Sequence, residues 1–149
     1  MNNLKKIIIF ILVLISLISL ILFLNKPYKD ELILKGYYDS LEYWDNSSFQ
    51  DYTDYCKYYY NSKDDNLFKN SGSYKKVRKE DIDTLIGYFD NFSNWVKNRD
   101  YEYDLDNSYI TEGDYFIIKT KNDIGKYDNY TVYFYDIETH ILYYIHSNI

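Results

Sequence analysis

Residues 80–106 read EDIDTLIGYFDNFSNWVKNRDYEYDLD, and the hydrophobic period changes inside this stretch. In its first two thirds Ile82, Leu85, Ile86, Phe89, Phe92 and Val96 recur at helical spacing, with Trp95 at the edge of the stripe. Glu80, Asp81 and Asp83 fall in the first turn and Lys97 and Arg99 close the end, both favourable to the helix dipole. Gly87 costs a helix up to about 1 kcal/mol relative to alanine, which points to close packing against a neighbour. From Tyr101 the period is 2. Tyr101, Tyr103 and Leu105 alternate with Asp100, Glu102, Asp104 and Asp106.

Working C-terminally, residues 114–120, 127–136 and 140–146 are rich in Tyr, Ile, Phe and Val, as strands are. Residues 122–125 and 137–139 read as turns between them, and connections this short favour antiparallel pairing. Working N-terminally, Leu34, Tyr37, Leu41 and Trp44 have helical spacing, as do Phe49, Tyr52, Cys56, Tyr59 and Tyr60. Ser48 with Asp51 resembles a capping box for that second helix. Residues 62–73 are a polar loop. The reading is an α+β fold. An N-terminal transmembrane helix precedes two or three helices packed on a three- to four-stranded antiparallel β-meander, with the helix at 80–97 covering one face.

The chain has 149 residues and a formal net charge of −6. Residues 1–29 hold four lysines and no acid, whereas residues 30–149 hold 13 basic and all 23 acidic residues, a net −10. This divides the chain into a basic-flanked anchor, 1–29, and an acidic, tyrosine-rich domain, 30–149. From Ile7 to Leu24 the sequence is uncharged, and as a helix it would span about 27 Å, close to a bilayer's hydrocarbon core. That run is expected to hold the lipid bilayer as an uncleaved signal anchor, because no small-residue cleavage pattern follows it; the alternatives are a cleaved signal peptide and a buried core helix. Lys5, Lys6 and the amino terminus lie on one side of the run and Lys26 and Lys29 on the other; the orientation favoured is a cytoplasmic start and an extracytoplasmic domain at the cell membrane.

The charge excludes nucleic acid as a partner, since that requires a basic face. No Walker A, G-x-G-x-x-G, G-x-S-x-G or H-E-x-x-H pattern occurs, so no cofactor and no catalytic residue is assigned. Cys56 lies on an apolar stripe and reads as a buried thiol. His140 and His146 are six strand positions apart, roughly 20 Å, too far to share a metal ion. The acids from Asp100 to Asp106 lack the glycine and glutamate of a calcium loop and read as a solvated face. Lys75, Lys76, Arg78 and Lys79 form a basic knot, read as local charge balance or a contact for headgroups or an acidic partner. The 21 tyrosines depart furthest from average composition. Tyrosine suits interfaces, so Tyr133, Tyr135, Tyr101 and Tyr103 are the candidate binding residues if a strand face is exposed.

Three segments, GYFDNFSNW at 87–95, TEGDYF at 111–116 and YFYDIETHILYYIHSNI at 133–149, resemble a group of small hypothetical proteins of low-GC Gram-positive bacteria. The resemblance covers about half the chain and implies a bacterial cell-envelope setting, with no activity to carry over. The expected function is a membrane-anchored binding domain for a protein or glycan of the envelope, with an immunity-like protein that masks a basic toxin as its narrower version. The alternatives are an envelope hydrolase using paired carboxylates and a structural subunit of a membrane complex.

Overall fold

The computed structural model of the chain describes Ile11, Leu14, Ser16 and residues 31–34, 40–47, 52–97, 103–121 and 127–148, with the backbone alone at 31, 40–47 and 52. The chain divides into two compact units, Met1–Glu31 and Leu32–Ile149. In the first, Ile11, Leu14 and Ser16 are helical and exposed. Among the described residues no helix is long and apolar enough to cross a membrane. The transmembrane and signal-anchor expectation is therefore set aside; the other positions from Ile7 to Leu24 lie outside the described residues.

The second unit is built on one six-stranded antiparallel sheet. In chain order its strands are β1 (Ser40–Ser47), β2 (Tyr52–Tyr59), β3 (Lys75–Lys76), β4 (Tyr115–Thr120), β5 (Asn129–Asp136) and β6 (Ile141–Asn148). Their spatial order is β1-β2-β6-β5-β4-β3. β4, β5 and β6 form a meander. β6 then pairs with β2 across the chain, with Cys56 opposite Tyr144 and Lys57 opposite Tyr143. Among the described residues two α-helices accompany the sheet, α1 (Asp65–Asn70) and α2 (Lys79–Val96).

This corrects the sequence reading in several places, one of which is the polar loop expected over 62–73, where a 3-10 turn, Ser62–Asp64, and α1 form around the buried Phe68. The helix expected over 48–61 is strand β2, and the C-terminal part of the one expected over 28–44 is strand β1. The sheet is thus not a C-terminal meander behind a run of helices, but a sheet closed by an N-terminal hairpin. The physical reason is burial on both faces. Tyr55 faces one core while Cys56, Tyr58 and Tyr60 face the other, so the strand reads as a continuous apolar run with no period of its own. In addition, residues 103–106 are irregular and lead into a 3-10 turn, Asn107–Tyr109, where a strand was expected. Residues 101–102 and the turn at 122–125 lie outside the described residues, save Tyr103 onward.

α2 forms where its stripe predicts and buries Leu85, Tyr88, Phe89, Phe92 and Val96 against Val132, Phe134, Tyr143 and Ile145. Burying such side chains stabilises the fold by about 1.5–3 kcal/mol each. Its start is fixed by Asp81, whose Oδ2 accepts the Arg78 N–H at 3.0 Å. A Cβ at Gly87 would stand 2.6 Å from the Tyr127 hydroxyl, so glycine admits that tyrosine over the helix. The opposite sheet face carries Cys56, Tyr58, Tyr115, Tyr133, Tyr135, Leu142 and Tyr144. It is covered by Phe68 of α1, by Tyr60 and Tyr74, and by Ile33 in the 3-10 turn Glu31–Ile33.

Candidate functional site

Three polar clusters stand out from this apolar frame. The first is centred on Lys57, buried on β2 beneath the loop that follows α2. An ammonium out of water needs a counter-charge. Asp104 supplies it: its Oδ2 accepts from Lys57 Nζ at 2.7 Å and its Oδ1 from the Tyr55 hydroxyl at 2.7 Å. Burial pushes the Asp104 carboxyl up, but the bonds from Lys57 and Tyr55 more than reverse this, and it ionises below the usual carboxylate range. Burial and the same bond push the Tyr55 phenol far up, so it remains a donor. Two residues on, the Asp106 carboxylate caps the 3-10 turn through the Ser108 N–H at 2.8 Å, which holds it below its ordinary value. Asp90 of α2 accepts from Asn107 Nδ2 at 2.8 Å. Asp90, Asp104 and Asp106 are all exposed, and each is held in place by an intramolecular bond.

The second cluster lies on the opposite face. Asp65, at the start of α1, accepts from the Tyr135 hydroxyl at 2.6 Å and lies 3.0 Å from His140 Nδ1. A proton on Nδ1 lets the ring donate to the Asp65 carboxylate, which accepts from Tyr135 as well. His140 has φ of +58°, a conformation histidine adopts more readily than most residues. Its carbonyl receives the Tyr60 N–H at 2.9 Å, so both its backbone and its ring are engaged. An Asp–His pair orients an imidazole for proton transfer. Among the described residues no hydroxyl or thiol is bonded to this ring as a nucleophile would be.

The third cluster is the nearest counterpart of the paired carboxylates expected of a hydrolase. Asp114 and Asp136 are each 3% exposed. Asp114 accepts from the Thr111 N–H and hydroxyl at 2.9 and 3.0 Å and from the Ile137 N–H at 3.1 Å. Asp136 accepts from the Glu138 N–H at 2.8 Å and the Thr139 hydroxyl at 2.6 Å. Burial raises the Asp114 carboxyl above its ordinary value, against the Thr111 and Ile137 bonds, and the Asp136 charge adds to the rise. Turn donors occupy both oxygens of each group, so the pair ties two turns together.

The candidate tyrosines are placed differently from an exposed recognition face. Tyr133 and Tyr135 are 1% and 0% exposed, because cover on both sides of the sheet leaves neither parity of β5 open. Tyr103 is half-buried against Tyr55 and Phe92, and its hydroxyl is buried without a hydrogen-bond partner among the described residues. Tyr101 lies outside the described residues. Cys56 is fully buried, and burial pushes its thiol up, away from reactivity. His146 Nδ1 lies 2.7 Å from the Thr131 hydroxyl across the strand pair, and burial, then Lys121, lowers its basicity. Among the described residues no group of three or more His, Cys, Asp or Glu could hold a metal ion.

Sequence reasoning did not single out Lys57, Asp65, Asp114 or Asp136. Asp114 and Asp136 had a local signal, an Asp beside a Thr three residues away at 111–114 and 136–139, the pattern of side-chain-capped turns. Lys57 and Asp65 find their partners 47 and 75 positions away and had none. No family model, curated protein or solved structure matches the chain, and the functional reading rests on these groups.

Proposed function

We propose that the domain of residues 32–149 is a binding module for a cationic protein surface, the interaction role expected of an immunity-like protein. The observation that carries this reading is the anchored acidic ridge of Asp90, Asp104 and Asp106. Each carboxylate is exposed yet tied by its own hydrogen bond, so little side-chain freedom is lost when a partner's lysine or arginine arrives. The bonds that hold Asp104 and Asp106 also keep them ionised. Around them, the net −10 of residues 30–149 would speed encounter with a basic partner and repel nucleic acid.

The test is capture by the immobilised full chain at low and high salt. A retained basic protein, released as salt rises from about 50 to 500 mM, is expected because the ridge is exposed to screening. The pair Asp90→Asn with Asp106→Asn keeps oxygen acceptors for Asn107 and Ser108 while removing two charges, and should weaken capture about tenfold. Capture that is absent, or indifferent to both salt and the double variant, overturns the reading.

A further inference from the structure

A second charged feature has the opposite sign and lies outside the acidic ridge. Lys75, Lys76, Arg78 and Asp81 line a pocket of about 380 Å³. Residues 75–79 hold four of the thirteen basic residues of the acidic domain and no acid. The backbone there is fixed. Lys75 and Lys76 pair with Phe116 and Tyr115, and Val77 exchanges bonds with Asp114 O at 2.7 Å and the Gly113 N–H at 3.1 Å. The stem of Lys76 passes over Gly113, where an added Cβ would stand 4.0 Å from its Cε. Arg78 makes a loose ion pair with Glu80 at 3.6 Å, both side chains largely exposed. Among the described residues no carboxylate lies within ion-pair distance of Lys75 or Lys76.

Lysines on an edge strand also discourage sheet-to-sheet aggregation. That role requires charge but no convergence on a cavity. The start of α2 does not make the site either, since Asp81 already accepts the Arg78 N–H. The three side-chain cations against one carboxylate do. The described residues that line it are three cations and one carboxylate, so what they offer a ligand is charge and hydrogen-bond donors. Two ammonium groups beside a guanidinium fork match a tetrahedral oxyanion, the fork binding two oxygens and the lysines acting as point charges.

We propose that this pocket binds a phosphate-type anion, either free or as the headgroup of an anionic phospholipid. The test uses the full chain with inorganic phosphate and, separately, vesicles of phosphatidylglycerol or phosphatidylcholine. In the first arm, backbone amide shifts are followed by NMR as phosphate replaces chloride at constant ionic strength. Saturable shifts confined to residues 75–81, weakened about tenfold by Lys75→Gln with Lys76→Gln, establish a free-ion site. Arg78→Lys, which keeps the charge but removes the fork, should weaken it about threefold. In the second arm, binding to phosphatidylglycerol but not phosphatidylcholine vesicles, lost in the same double glutamine variant and without a phosphate response, assigns the site to a headgroup. Both lysines are exposed, and an unchanged circular dichroism spectrum will confirm that the variant folds. No response in either arm, or a response equal in chloride or in the variant, overturns the proposal.

Discussion

The two faces of the sheet are closed by different means. On one, an 18-residue helix lays a stripe of Leu, Phe and Val on the strands, and four of fifteen buried cluster residues are tyrosine. On the other, the cover is a six-residue helix and a three-residue turn, and seven of eleven are tyrosine. Elements that short cannot present a long apolar stripe. The tyrosines compensate by combining ring area with a polar tip. Phe68 stacks on Tyr135 at 3.6 Å and meets Tyr60 and Tyr74 edge-on. The hydroxyls of Tyr60 and Tyr74 donate to the carbonyls of Ile33 and Leu32, and that of Tyr135 donates to Asp65. Much of the tyrosine excess therefore belongs to a second core, and the hydroxyls act as ties that hold small covering pieces in place.

The largest expected effects come from emptying each core. Phe89→Ala beneath α2 and Phe68→Ala beneath α1 should each cost about 3–5 kcal/mol, measured by urea denaturation. Native-state hydrogen exchange separates the two. Phe89→Ala should lower protection across the strands. Phe68→Ala should expose the amides of α1 first, because that helix has one fully buried side chain. Equal loss of protection everywhere in both variants would mean that the faces are not distinct units.

Removing hydroxyls tests the second half of the comparison. Tyr60→Phe and Tyr74→Phe should each cost about 1 kcal/mol, since each deletes a bond to a backbone carbonyl. Tyr103→Phe on the helix face should be neutral or stabilising by up to about 1 kcal/mol, because its hydroxyl is buried without a partner among the described residues. If all three behave alike, the hydroxyls are not ties.

His140 combines a tie with a strained backbone. His140→Ala should lose the bond to Asp65 and keep the cost of φ at +58°. His140→Gly loses the same bond but relieves the strain, and should be more stable than the alanine variant by about 1 kcal/mol. Identical stabilities would show that the turn carries no such cost.

What was legible in the sequence follows the same division. α2 and the strands β4 to β6 announce themselves, the helix because one stripe is buried and the strands because short turns separate β-rich runs. β2 does not. Its residues are buried on both sides, and a buried run such as YCKYY has no period to tell a strand from a helix. Its partner β6 lies some ninety residues away, so the closing of the sheet leaves no local mark. The same distance hides the candidate sites: Asp104 is intelligible only beside Lys57, and Asp65 only beside His140. The basic knot at 75–79 was visible as charge, but its concavity was not.

The smallest expected effect is a pH dependence that belongs to the second face. Burial, and then the Lys121 charge, holds His146 below the ordinary histidine value in the folded chain. Unfolded, it protonates near pH 6.5. The unfolded state then binds a proton that the folded state resists, so stability attributable to His146 is intact above about pH 6.5 and is lost as pH falls through that value toward the lower folded one. Asp104 acts in a separate window. Its lowered carboxyl contributes stability above about pH 4 that is lost only below it, and solvent screening of this half-exposed pair keeps the contribution small. Urea midpoints at pH 7.5 and 5.5 bracket the unfolded histidine value and lie above the Asp104 window, and the variants assign the decline between them. His146→Gln should flatten the decline between them, and Lys121→Gln should move its lower limit upward. A decline that survives His146→Gln unchanged would assign the proton to another group and leave the Thr131–His146 pair as packing alone.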